Sequence, residues 1–147
     1  MAVTTSWLVE GRVLFITASR VFDLGEIQPL SEQINHMLAV TASGEPVHII
    51  HDLRAVDEPK RALAYMSAIS PHLTTNGLQA LVVSDKYWSL EKRWLRHELK
   101  NHNQQAITSS LDEAFASLQQ ADSTLPNLRA AFRARLREIL RQSPQSP

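Results

Sequence analysis

The chain contains no cysteine, which removes disulfide frameworks, thiolate nucleophiles and cysteine zinc sites together. Glycine is scarce. Gly11, Gly25, Gly44 and Gly77 stand alone, so neither the dinucleotide fingerprint nor a phosphate-cradling P-loop is present. The nucleophile elbow Gly-x-Ser-x-Gly is also missing, and Ser84 and Asp85 after a strand pattern do not replace it. Nucleotide enzymes and serine hydrolases therefore recede, and no cofactor is expected. Apolar runs reach only a few residues, far short of a membrane span. Met1 to Ser6 lacks the basic start of a secretory signal. A cytoplasmic location is the expectation.

What is present is an ordinary globular composition. The 147 residues are 44% apolar and 20% charged, enough for one domain with a real core. A formal net charge of zero conceals an asymmetry: residues 1–127 carry ten Lys/Arg against fourteen Asp/Glu. In residues 128–147, Arg129, Arg133, Arg135, Arg137 and Arg141 face Glu138 alone. The acidic body repels polyanions weakly, while the basic end suits an acidic surface, including that of a second subunit.

Hydropathy patterns alternate between strand and helix. Trp7–Glu10 and Arg12–Ala18 are β-rich and joined at Glu10 and Gly11, a hairpin signal. Asp23 opens a helical pattern with Glu26 at capping-box spacing. Pro29 implies that the first turn is kinked or separate. Val47–Asp52 reads as a buried strand, Glu58–Ser70 as a helix with Pro59 in its first turn, and Leu78–Ser84 as another strand. Ser89 caps a helix with Leu90, Trp94, Leu95 and Leu99, and Gln105–Ser109 is a short strand. Ser110 and Glu113 form a capping box before a helix with Phe115 and Leu118 inside. The expected architecture is α/β: a mixed, largely parallel sheet of about five strands with covering helices. Residues 1–126 would form that domain, 127–142 a basic amphipathic helix and 143–147 a disordered tail.

Candidate chemistry is thin. His48 and His51 are three apart on one strand, so they point to opposite faces and cannot chelate one metal. His51 beside Asp52 at the strand's end is the best general-base candidate, set against a plain reading as a buried, hydrogen-bonded histidine. His97 and His102 have the wrong spacing for a helical zinc pair, and no metal site is expected. Tyr87, Trp88 and Trp94 are interleaved with Lys86, Lys92, Arg93 and Arg96, which fits a protein contact or a lipid headgroup. The same pattern also fits Trp94 in the core and the cations on a solvated face. On the last helix, Phe132, Leu136, Ile139 and Leu140 lie opposite the arginines. Packing in a homodimer is expected there ahead of an anionic membrane, and no nucleic acid is expected.

The element order resembles the STAS domain of bacterial anti-sigma-factor antagonists. It is closer to diverged STAS/SEC14-like bacterial proteins that open on Trp-x-x-x-Gly-Arg-Val. The residues carrying the resemblance are Trp7 with Gly11, Arg12 and Val13; the strand Pro46–Asp52; and Leu111–Leu118. In the antagonist branch a serine at the helix start after the strand is phosphorylated by a partner kinase. Asp57, Glu58 and Pro59 occupy that place here, so the resemblance implies no phospho-switch. The two carboxylates either mimic the phosphorylated state or simply favour a helix N-terminus.

The resemblance implies a non-catalytic regulatory domain that binds a protein partner through Asp52, Asp57, Glu58, Tyr87 and Trp88. A second expectation, from the SEC14-like side, is a lipid or other small apolar ligand in a cavity lined by Met37, Met66 and Ile69. An enzyme using His51 and Asp52 ranks third.

Overall fold

In the computed structural model, which describes residues 3–19, 24–40, 44–56, 59–69, 76–84 and 105–142, five strands form one sheet in the order of the chain. β1 (Val3–Val9) and β2 (Val13–Ala18) are antiparallel. β3 (His48–Asp52), β4 (Gln79–Val82) and β5 (Gln105–Thr108) each run parallel to the strand before. The described helices are α1 (Ile27–Ala39), α2 (Pro59–Ile69), α3 (Leu111–Ala121) and α4 (Leu128–Gln142). The chain is thus α/β with a mixed, mostly parallel five-stranded sheet. No described helix is long and apolar enough to cross a membrane.

A sheet that grows in one direction through right-handed crossovers places its connecting helices on one face. α1 and α2 follow that rule and share a buried cluster with Leu14, Ile16, Ile49 and Leu81. The helices after β5 cover the other face, where α3 and α4 pack on Val13, Ile50, Ala80 and Val82. With both faces covered, all five residues of β3 are buried, as parallel strands require. The period of two then sends Ile49 and His51 toward α1 and α2, and His48 and Ile50 toward α3 and α4.

Local chemistry sets the element ends. The β1–β2 turn closes with the Arg12 N–H on the Val9 carbonyl at 2.9 Å. Gly11 takes a φ of 75° there, which a side chain would resist. A 3₁₀ turn at Leu24–Glu26 precedes α1, so the turn is separate, and Pro29 sits in the helix's first turn, where its missing N–H is not needed. The expected Asp23–Glu26 capping box does not mark the start of α1: Glu26 is itself the N-cap residue and makes no side-chain cap. Asp23 lies outside the described residues. At α3 the serine half of the expected box is present: Ser110 Oγ accepts the Glu113 N–H at 3.2 Å, while the Glu113 carboxylate accepts the N–H of Ser109, one residue before the cap, at 2.8 Å.

α4 is only half an appendage. Leu128 is fully buried, and the Phe132 ring lies 5.8 Å from Phe15 and 5.7 Å from Phe115, centroid to centroid. Arg135 donates to the Trp7 carbonyl at 2.7 Å, which ties mid-helix to the edge strand. Phe132, expected among the self-association residues, is therefore used inside its own domain. Beyond it Leu136, Ile139 and Leu140 are 43%, 48% and 73% exposed.

Candidate functional site

Three polar clusters surround β3, one on each face and one at its end. On the α1/α2 face, His51 is completely buried. Its Nδ1 lies 3.1 Å from the Tyr65 hydroxyl and its Nε2 lies 3.1 Å from Gln79 Oε1. Because an amide oxygen only accepts, Nε2 carries the ring proton and the Tyr65 hydroxyl donates to Nδ1. Burial holds the His51 pKa down to about 4, with the Gln79 bond opposing that shift, and burial also raises the Tyr65 hydroxyl.

This buried ring makes stability depend on pH. Between about 6.5, the ordinary histidine value, and about 4, the unfolded chain takes up a proton that folded His51 refuses. Stability is therefore full above that window and is lost as pH falls through it, by about 3 kcal/mol in all. Urea midpoints measured from pH 7 down to pH 4 should fall accordingly, and a His51→Gln variant should flatten the decline. A wild-type profile that stays level would sink the assignment.

On the α3/α4 face, at the N-terminal rim of the parallel strands, His48 accepts the Leu78 N–H on Nδ1 at 2.8 Å. Its Nε2 therefore carries the ring proton and donates to Asp122 Oδ2 at 3.0 Å. The same oxygen accepts from Arg12 Nη2 at 2.7 Å, and Arg12 Nη1 lies 3.1 Å from Glu45 Oε2. The Asp122 carboxyl is held well below the usual carboxylate range, first by the His48 bond, then by the Thr124 hydroxyl. The cluster fastens the α3–α4 connection to the strand starts. A histidine oriented by a carboxylate can serve acid–base chemistry, but both nitrogens of His48 are already bonded within the chain.

At the C-terminal end of β3, Asp52 receives both Nε and Nη2 of Arg54 at 2.9 Å. Asp52 is buried while the Arg54 side chain is 47% exposed. His51 and Asp52 project from opposite faces of the strand, so they form no dyad. Of the expected partner-binding residues, Asp52 is thus already engaged, and Asp57, Glu58, Tyr87 and Trp88 lie outside the described residues. So do Lys86, Trp94, His97 and His102.

The residues expected to line an apolar cavity belong to one buried cluster on the α1/α2 face of the sheet. Met66 and Ile69 are buried in the core, and Met37 packs against it. A pocket of about 280 Å³ does open elsewhere, between the start of β1 and the entry to α1, lined by Val3, Gly25, Pro29 and Leu30 among others. Among the described residues no group of three acidic or histidine side chains is placed to hold a metal.

Reasoning from sequence passed over Tyr65, Gln79, Arg12 and Asp122 as site residues. Tyr65 alone left a usable signal. Ala62, Tyr65, Met66 and Ile69 fit one helical face, and all four are buried, so a hydroxyl was bound to reach the sheet.

No family model, curated protein or solved structure matches this chain. The likeness to STAS domains rests on the sequence motifs alone.

Proposed function

We propose that this chain is a STAS-like, non-catalytic regulatory domain that works in the bacterial cytoplasm by binding a protein partner. The observation that carries the reading is the inward use of its chemistry. His48, His51 and Asp52 all spend their polar atoms on bonds within the chain, which suits a scaffold for a contact surface better than a reaction centre. The contact surface is the loop after β3 together with the start of α2, where Asp57 and Glu58 supply negative charge to a basic partner. Trp88 supplies the apolar anchor.

A photo-crosslinking residue placed at Ala55, which is exposed just after β3, should give one discrete protein adduct in cells. The same residue at Ala116, exposed on α3, should give none. Equal labelling from both positions, or none from Ala55, removes the partner reading. The pocket beside α1 favours the second reading, a small apolar ligand, because about 280 Å³ is close to the lower bound of roughly 300 Å³ for ligand sites. Native mass spectrometry is expected to return the bare chain mass, and a lipid-sized adduct would replace partner binding with ligand carriage.

A further inference from the structure

α4 carries two rows of side chains whose outer members are exposed. Arg129, Arg133, Arg137 and Arg141 recur every four residues, so they form one ridge with steps of about 6 Å. Arg129 is paired with Asp112 at 3.1 Å, whereas Arg133, Arg137 and Arg141 make no ion pair among the described residues. The neighbouring row is Leu128, Phe132, Leu136 and Leu140, again four apart. Its first two members are buried or partly buried in the core, and its last two are exposed with Ile139 beside them. Exposure rises along the helix, so the apolar row leaves the domain as a projecting wedge. Glu138 is the one acid of α4, and it lies on the other side, lining a groove with Trp7 and Glu10.

We infer that the segment Arg133–Gln142 docks on an anionic membrane surface, with Leu136, Ile139 and Leu140 entering the interface and the arginines on its headgroups. Charge complementarity selects this occupant. An anionic bilayer presents negative charge continuously beside an apolar interior, so an arginine row next to an apolar wedge meets both without a fixed register. A second copy paired antiparallel through the wedge is disfavoured, because that two-fold sets the arginine row of one helix beside the same row of the other. The acidic balance of residues 1–127 repels the same surface. The body is therefore held away from the membrane, and only the end of α4 touches it. The inference goes beyond partner binding and stands whether or not a partner exists, because it assigns a location to the domain.

The test is co-sedimentation of the full chain with vesicles of phosphatidylcholine alone and with vesicles containing roughly one quarter phosphatidylglycerol. Binding should appear only with the anionic vesicles and fade as salt rises from about 0.05 M to about 0.5 M. Arg137→Glu and Leu140→Asp, both at exposed positions, should each weaken it by about 10-fold with an unchanged circular dichroism spectrum. Binding that ignores lipid charge, or that survives both substitutions, overturns the inference. A dimer in solution that Leu140→Asp converts to monomer overturns it too, by assigning the wedge to self-association. Loss of the Ala55 crosslink without loss of vesicle binding would count against the partner reading alone.

Discussion

Replacing His51 by alanine is expected to remove about 4 kcal/mol of folding stability, a large share of the roughly 5–15 kcal/mol that holds a domain together. Two effects add. The imidazole is fully buried, so truncation leaves a cavity worth about 2 kcal/mol or more. It also removes the bonds of the Tyr65 hydroxyl and the Gln79 amide to the two ring nitrogens, at about 1–3 kcal/mol for the two together. Urea denaturation reads the total. A double-mutant cycle with Tyr65→Phe separates the parts: Tyr65→Phe should cost less in the His51→Ala background than alone, because the hydroxyl has then already lost its acceptor. A loss under about 1 kcal/mol for His51→Ala would mean that the network carries no weight. Both ring nitrogens are bonded within the chain, so any change in activity of the His51→Ala variant has to be read against this loss of stability.

The fold was largely legible because burial of sheet faces and helix stripes is a local, periodic property. The β1–β2 hairpin announced itself through Glu10 and Gly11, and α3 through Ser110 and Glu113. Each of those signals spans a few residues. The polar clusters were not legible for the opposite reason. Arg12 and Asp122 are 110 residues apart in sequence, and no local pattern foretells that the α3–α4 connection returns beneath the starts of β2 and β3. His51 was recognised as chemically able, but its reactivity depends on what covers it. That is decided by Tyr65 on α2 and Gln79 on β4. Phe132 is a different case: its spacing places it on an amphipathic face, yet spacing alone does not say whether that face meets the same domain or another. The aromatic rings of Phe15 and Phe115 decide that, and both belong to the same domain.

The second large effect belongs to Gly77, in sequence one of four isolated glycines. The structure requires more of it. A Cβ there would sit 2.2 Å from the Val47 carbonyl oxygen, 2.5 Å from its carbon and 2.9 Å from the His48 nitrogen. All three are backbone atoms at the start of β3, so no rotamer relieves the clash. Relief needs β3 and the entry to β4 to move apart. That motion stretches two bonds at once: the Ile49 N–H to the Leu78 carbonyl at 3.0 Å, and the Leu78 N–H to His48 Nδ1 at 2.8 Å. The second bond fixes the His48 tautomer, so the damage reaches Asp122 and the α3–α4 connection. Gly77→Ala should therefore cost about 4 kcal/mol and lower the melting temperature by roughly 10 °C. Gly44→Ala is the matched control. Its added Cβ meets nothing within 4 Å, but φ is +73°, so the cost should stay near 1 kcal/mol of backbone strain. Gly77, unlike Gly44, has no positive φ, so equal losses at the two glycines would show that β3 and β4 give way cheaply. A loss about four times larger at Gly77 locates it in the close approach of β3 and β4.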